Sequence, residues 1–232
     1  MSLRDPRHYL LPRPPYDPAP RTRRRLDEII AKIRETSEVT LIDSDLLPKW
    51  QLLCYLAESG FLLHGSGNSA IEEFIPRQPT DANPFGAQNA VYAASDGIWP
   101  MFYAILDRDN FTFSLHNACL SFLDDRDEPS APFYFFSIRE SALEKKPFRD
   151  GYVYVLPRDT FSQDPQSELG GNRFKLAHWA SLAPVRPLAV VAVRPEDFPF
   201  LDQIRGHDDH TLDARMKEDP ARFPWVDEQW ED

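Results

Sequence analysis

The ten residues Phe61-Leu62-Leu63-His64-Gly65-Ser66-Gly67-Asn68-Ser69-Ala70 put an imidazole, hydroxyls and two glycines at the end of an apolar run. Gly65-x-Gly67-x-x-Ala70 fits the loose fingerprint by which a strand, a turn and a helix N-terminus receive a pyrophosphate. That fingerprint needs a crossover helix, and only Ile71 to Ile75 is free to be helical before Pro76. A doubly wound nucleotide fold is therefore disfavoured. Among other reactive side chains, His207-Asp208-Asp209-His210 lacks the spacing that sets metal ligands on one helical face and reads as a solvated turn, so no metal is expected. No serine or cysteine sits in a nucleophile elbow, and there is no phosphate loop. Asp124, Asp125, Asp127 and Glu128 read as an exposed hairpin loop, and Lys145-Lys146 as solvated surface.

The second reading joins His64-Gly65-Ser66 to Val91-Tyr92-Ala93-Ala94-Ser95-Asp96, and to Tyr103 eleven residues beyond Tyr92. On these residues the chain resembles ADP-ribosyltransferases of the diphtheria-toxin and poly(ADP-ribose) polymerase type. Their first motif is a strand ending in His-Gly-Ser or His-Gly-Thr. Their second is an apolar residue, Tyr, small residues and an acid that opens a helix. The resemblance covers residues 61–106 well and 151–200 loosely. It implies NAD as substrate, held by its nicotinamide end.

Nicotinamide in NAD is a flat cation, which tyrosine faces hold by stacking and cation–π attraction. Its carboxamide needs a donor and an acceptor, which a glycine backbone presents without a side chain in the way. By resemblance, Gly65 supplies that pair, His64 and Ser66 bind ribose hydroxyls, and Tyr92 and Tyr103 enclose the ring in a single crevice. The departure is at the third motif, where these enzymes start a strand with a glutamate that stabilises the oxocarbenium-like transition state. The matching strand here is His178-Trp179-Ala180-Ser181, so His178 stands at the glutamate position. A neutral imidazole makes single hydrogen bonds but carries no negative charge. Losing one such electrostatic group costs roughly 100- to 1,000-fold in rate. Glu168, ten residues upstream, is the nearest acid considered as a replacement.

The elements needed to position these groups are readable in outline. Leu26, Ile29, Ile30 and Ile33 predict a helix ending near Thr36. Asp45 as cap, Pro48, then Trp50, Leu53, Cys54 and Ala57 predict a second, stopped by Gly60. A third begins at Ser95 or Asp96 and carries Trp99, Phe102, Ile105 and Leu106 inward. Strands are expected at 61–64, 90–94, 111–115, 133–138, 152–156, 178–181 and 188–193, short runs rich in aromatic or β-branched residues between breakers.

The length of 232 residues suits one large domain with extensions. An apolar share of 42% excludes a mostly disordered chain. No stretch approaches the roughly 18 apolar residues of a membrane helix, and arginine and proline stand where a secretory signal is apolar, so the chain reads as cytoplasmic. Cys54 and Cys119 read as reduced and buried. The net charge of −11 divides into +5 on residues 1–25 and −16 on the rest, a body that repels a phosphate backbone and argues against nucleic-acid binding. The expected organisation is an Arg/Pro-rich extended arm (1–25), a helical segment (26–60), an ADP-ribosyltransferase-like α+β domain with a split antiparallel sheet (61–200), and an acidic extension (201–232) whose Trp225 and Trp230 dock on the body. Three functions stay open: a divergent mono-ADP-ribosyltransferase or NAD glycohydrolase with His64, Tyr92 and His178 as its catalytic groups, a non-catalytic NAD or ADP-ribose module, and an interaction protein that keeps the fold.

Overall fold

A computed structural model describes residues 5–35, 38–43, 46–78, 84–169, 171–219 and 223–225. Among these residues five α-helices are formed: α1 (Pro20–Glu35), α2 (Lys49–Glu58), α3 (Trp99–Ile105), α4 (Glu140–Leu143) and α5 (Asp209–Glu218). The strands are β1 (Leu11–Pro12), β2 (Thr40–Leu41), β3 (Leu62–Ser66), β4 (Val91–Ala94), β5 (Leu115–Phe122), β6 (Phe133–Arg139) and β7 (Gly151–Leu156). They continue with β8 (Phe161–Gln163), β9 (Ser167–Leu169), β10 (Asn172–Leu176), β11 (His178–Ser181), β12 (Ala189–Val193) and β13 (Arg205–His207).

The strands form two mostly antiparallel sheets, so the chain is α+β. One sheet runs β2-β12-β7-β3-β4-β11-β8; the other runs β1-β6-β5-β10-β9, with β13 also beside β6. Among the described residues, only β2 with β12 and β13 with β6 pair in parallel. The main core joins one face of each sheet: Leu63, Ala94, Val153, Val155 and Val191 meet Cys119, Tyr134, Phe136 and Ile138 around α1, α2 and α3. Leu62, Val91, Ala93, Tyr154, Leu156 and Trp179 pack with Phe74 on the far face of the larger sheet.

Helix α3 approaches the larger sheet at two glycines. A methyl group on Gly65 would stand 1.8 Å from the Pro100 carbonyl oxygen, and one on Gly151 would stand 2.0 Å from that of Ala104. Asp96, 2% exposed, accepts from the Ile98 and Trp99 N–H groups, both at 2.8 Å, and from the Tyr134 hydroxyl at 2.7 Å. It thus serves the helix start, as expected, and ties it to the other sheet. Burial pushes the Asp96 carboxyl up, and its three donors pull it back. Trp99, Phe102, Ile105 and Leu106 are all buried.

Several sequence expectations are corrected. Residues 20–25 are the first turns of α1, not an extended arm, because Pro20 opens the helix with its preset φ. Upstream, β1 adds to β6 and Leu10 is buried, so the segment is docked. Leu26, Ile30 and Ile33 form the buried stripe of α1. The strand expected at 111–115 lies at 115–122. There His116 and Asn117 interrupt the apolar signal, and each is held among side chains of the folded protein. The 201–232 extension contributes β13 and the helix α5. Asp45, Thr36 and Trp230 lie outside the described residues. Trp225 does pack on the body, 5.4 Å from the His116 ring. No helix among the described residues is long and apolar enough to cross a membrane.

Two outcomes follow from this packing. Gly151→Ala should lower unfolding free energy by about 1–3 kcal/mol, read from urea denaturation; an unchanged midpoint would contradict the close approach of α3. His116 lies among Phe135, Phe223 and Trp225, its Nε2 is buried without a hydrogen-bond partner, and burial pushes the imidazole down to about 4. The unfolded chain takes up this proton below pH of about 6.5, while the folded chain resists until about 4. The contribution is therefore complete above about 6.5 and is lost as pH falls to about 4, by up to about 3 kcal/mol. Comparing wild type with His116→Phe at pH 7 and pH 4.5 checks this: the variant should lose less stability on acidification.

Candidate functional site

Strand β3 pairs with β7 along its whole length, but with β4 only at Leu63 opposite Ala94. Beyond that point the two strands part. The Ser95 N–H bonds the Ala177 carbonyl, on the β11 side, whereas Ala90 exchanges both bonds with Arg77 on the other edge. Alternation along β4 then turns the main-chain groups of Tyr92 and Ala94 toward β3, and those of Leu63 toward Ala94. The same alternation on β3 aims the Gly65 N–H and C=O into the parting, where β4 no longer meets them. Gly65 is half-buried at this edge.

His64 reaches across the parting. Its Nδ1–H donates to the Tyr92 carbonyl at 2.6 Å, which leaves Nε2 as an acceptor with no described partner. Its ring lies 4.6 Å from Phe74, and burial holds the imidazole below its usual range. Ser66 Oγ accepts from the Asn68 N–H at 3.1 Å.

On the inner face the rings run Tyr92, His178, Trp99, Tyr103. Tyr92 and His178 are stacked at 5.0 Å and 24°, His178 meets Trp99 at 5.7 Å, and Trp99 meets Tyr103 at 6.3 Å. Phe85 closes the His178 edge at 5.3 Å. From the other sheet, Asn117 Oδ1 on β5 accepts from Trp99 Nε1 at 2.6 Å and from the Tyr103 hydroxyl at 2.8 Å. An indole N–H only donates, which fixes the amide orientation. The Asn117 Nδ2 then has no described partner. His178 Nδ1 lies 3.2 Å from Asp164 Oδ2, and the Asp164 N–H bonds the His178 carbonyl at 2.9 Å.

The structure thus gathers Tyr92, Tyr103 and His178 but does not put all the named groups in one crevice. His64 and Ser66 pair with Tyr154 and Tyr152, while Gly65 pairs with Val153. Pleating therefore sends the His64 and Ser66 side chains to the far face from Tyr92 and His178, with Gly65 at the shared edge. The single-crevice expectation is corrected on this point, because successive side chains of one strand cannot share a face. Glu168 is exposed on β9; the acid beside His178 is Asp164, 6% exposed. Asp164 was missed because Asp164-Pro165 reads as a turn, and Asn117 because a lone amide in a strand carries no spacing signal.

A second cluster also departs from its expected solvated turn. His207 is buried on β13, with Nδ1 2.6 Å from Ser137 Oγ and Nε2 2.9 Å from Ser114 Oγ. Asp209 accepts from Ser114 and from Arg139. The residue types are those of a hydrolase triad, but Asp209 shares the Nε2 side with Ser114, and Ser137, on the Nδ1 side opposite the carboxylate, is fully buried and closed to a substrate. The cluster instead fastens β13 and the start of α5 to β6. No group of metal-ligating side chains is present among the described residues.

Comparisons with protein-family models, with curated proteins and with solved structures find no match to this chain. Asn117→Ala should remove the acceptor of the Trp99 indole N–H and cost about 1–3 kcal/mol in chemical denaturation. A neutral result would show that water replaces the amide oxygen.

Proposed function

We propose that the parted edge of β3 and the aromatic cluster form an NAD site of the ADP-ribosyltransferase type, in a divergent mono-ADP-ribosyltransferase or NAD glycohydrolase. The observation that carries the reading is the Gly65 N–H and C=O aimed into the parting beside Tyr92. A primary carboxamide offers the matching acceptor and donor, and a pyridinium ring attached to it suits the neighbouring tyrosine faces. The adjacency of β3, β4 and β11 supports the finer fold reading of a split antiparallel sheet of this type, since it sets His64, Tyr92 and His178 on neighbouring strands. In this arrangement the carboxamide meets the Gly65 main chain along the sheet edge, because α3 covers the inner face of Gly65. His64 Nε2 and the Ser66 hydroxyl bind ribose hydroxyls from the outer side. Free, buried Cys54 and Cys119 accord with a cytoplasmic setting.

A second reading, a non-catalytic NAD or ADP-ribose module, is favoured by the His178 ring stacked on Tyr92 where the family carries its glutamate. One experiment separates the readings: the pure protein is mixed with NAD, and nicotinamide release and heat of binding are followed together. Heat with turnover is the outcome for the enzyme, and heat alone for the module. Neither would overturn both and leave an interaction protein that keeps the fold. Tyr103→Ala should weaken NAD binding by about 1–2 kcal/mol, or roughly 5- to 30-fold in Kd, if its ring holds the nicotinamide.

A further inference from the structure

We propose that Asp164 is a positioning residue that sets His178 as a general base, so that the group which attacks the ribose is a neutral O–H, with water as its simplest case. The inference rests on the NAD reading above. It is drawn from the two bonds between Asp164 and His178. The Asp164 N–H holds the His178 carbonyl at 2.9 Å, and the carboxylate meets Nδ1 at 3.2 Å, so the pair is tied through both main chain and side chain. A carboxylate only accepts, hence Nδ1 carries the proton and Nε2 the lone pair. Nε2 has no described partner and is not among the buried unpartnered atoms, while the side chain is 15% exposed. The ring cannot turn freely, because Tyr92 lies flat against it and Phe85 and Trp99 meet it edge to face. Asp164 is the charged group in contact with the imidazole, and Tyr92 the other titratable one.

The step balances as follows. The bond between the ribose C1′ and the nicotinamide N1 breaks, and its electron pair neutralises the pyridinium, releasing nicotinamide. Water oxygen forms the new bond to C1′, and its proton passes to His178 Nε2. The products are ADP-ribose, nicotinamide and an imidazolium beside the Asp164 carboxylate, which later gives its proton to solvent. The charge at this corner moves from −1 to zero. Asp164 thereby supplies, from behind the imidazole, the negative charge that an oxocarbenium-like transition state requires and that His178 alone lacks.

The test begins with nitrogen NMR of the imidazoles, with His178→Gln to assign the signal. In the wild-type protein, His178 should be the Nδ1–H tautomer with an unprotonated Nε2. Asp164→Asn should mix or reverse the tautomers, because an amide N–H can donate to Nδ1. An Nε2–H tautomer in the wild type overturns the proposal even where Asp164→Asn does not fold, and leaves the NAD reading standing. In the same protein, Asp164→Asn should slow nicotinamide release about 100-fold or more with NAD Kd changed by less than about 3-fold. An equal rate in a folded variant overturns the base role. Binding without turnover in the wild type also overturns it, while leaving the NAD site intact. Absence of NAD binding is the separate outcome that removes the site itself.

Discussion

Helix α3 lies against the larger sheet only because two strands present hydrogen atoms where other residues carry side chains. Gly65 and Gly151 face it from neighbouring strands, and the Pro100 and Ala104 carbonyls fill the space a Cβ would need. This contact sets the depth at which Trp99 and Tyr103 stand, and hence whether they reach Asn117 on the opposite sheet. It also covers Gly65 on its inner face while leaving its main-chain groups aimed along the sheet edge. A looser helix would leave the edge and the rings unrelated.

The start of the same helix is held by a buried carboxylate. Asp96 is costly to bury, and it is retained with three donors, one of them from Tyr134 on the other sheet. The two sheets therefore share a polar fastening close to the aromatic rings that line the candidate site. Removing any one donor would leave an acceptor short in a place water does not reach. Such fully satisfied polar groups select one arrangement of the core more than they add to its stability.

The site itself is a joint product of elements distant in the chain. Tyr92 comes from β4, Trp99 and Tyr103 from α3, Asn117 from β5, Asp164 from the end of β8 and His178 from β11. Aromatic contacts of this kind contribute about 0.5–1.5 kcal/mol per pair beyond simple burial, so the row of rings holds its own shape without a ligand. The polar groups within it are each turned one way, Asn117 by two donors and His178 by one acceptor, and on the far face His64 is turned by a carbonyl.

Local pattern was enough to read the α+β class, the helices around Leu26, Trp50 and Trp99, and the strands that carry His64, Tyr92 and His178, because periodicity and breakers act over a few residues. The order and spacing of His64-Gly65-Ser66, Tyr92 and Tyr103 along the chain suggested a common crevice, which the faces of the strands do not allow. Which face each side chain takes was decided only by the tertiary structure. Register is set by partners far away in sequence, and one step along a strand reverses the face, which is why His64 and Tyr92 share an edge but not a side. Asp164 and Asn117 have no local signature at all; Asp164 meets His178 because β8 pairs with β11, and Asn117 meets Trp99 and Tyr103 because the second sheet closes on α3.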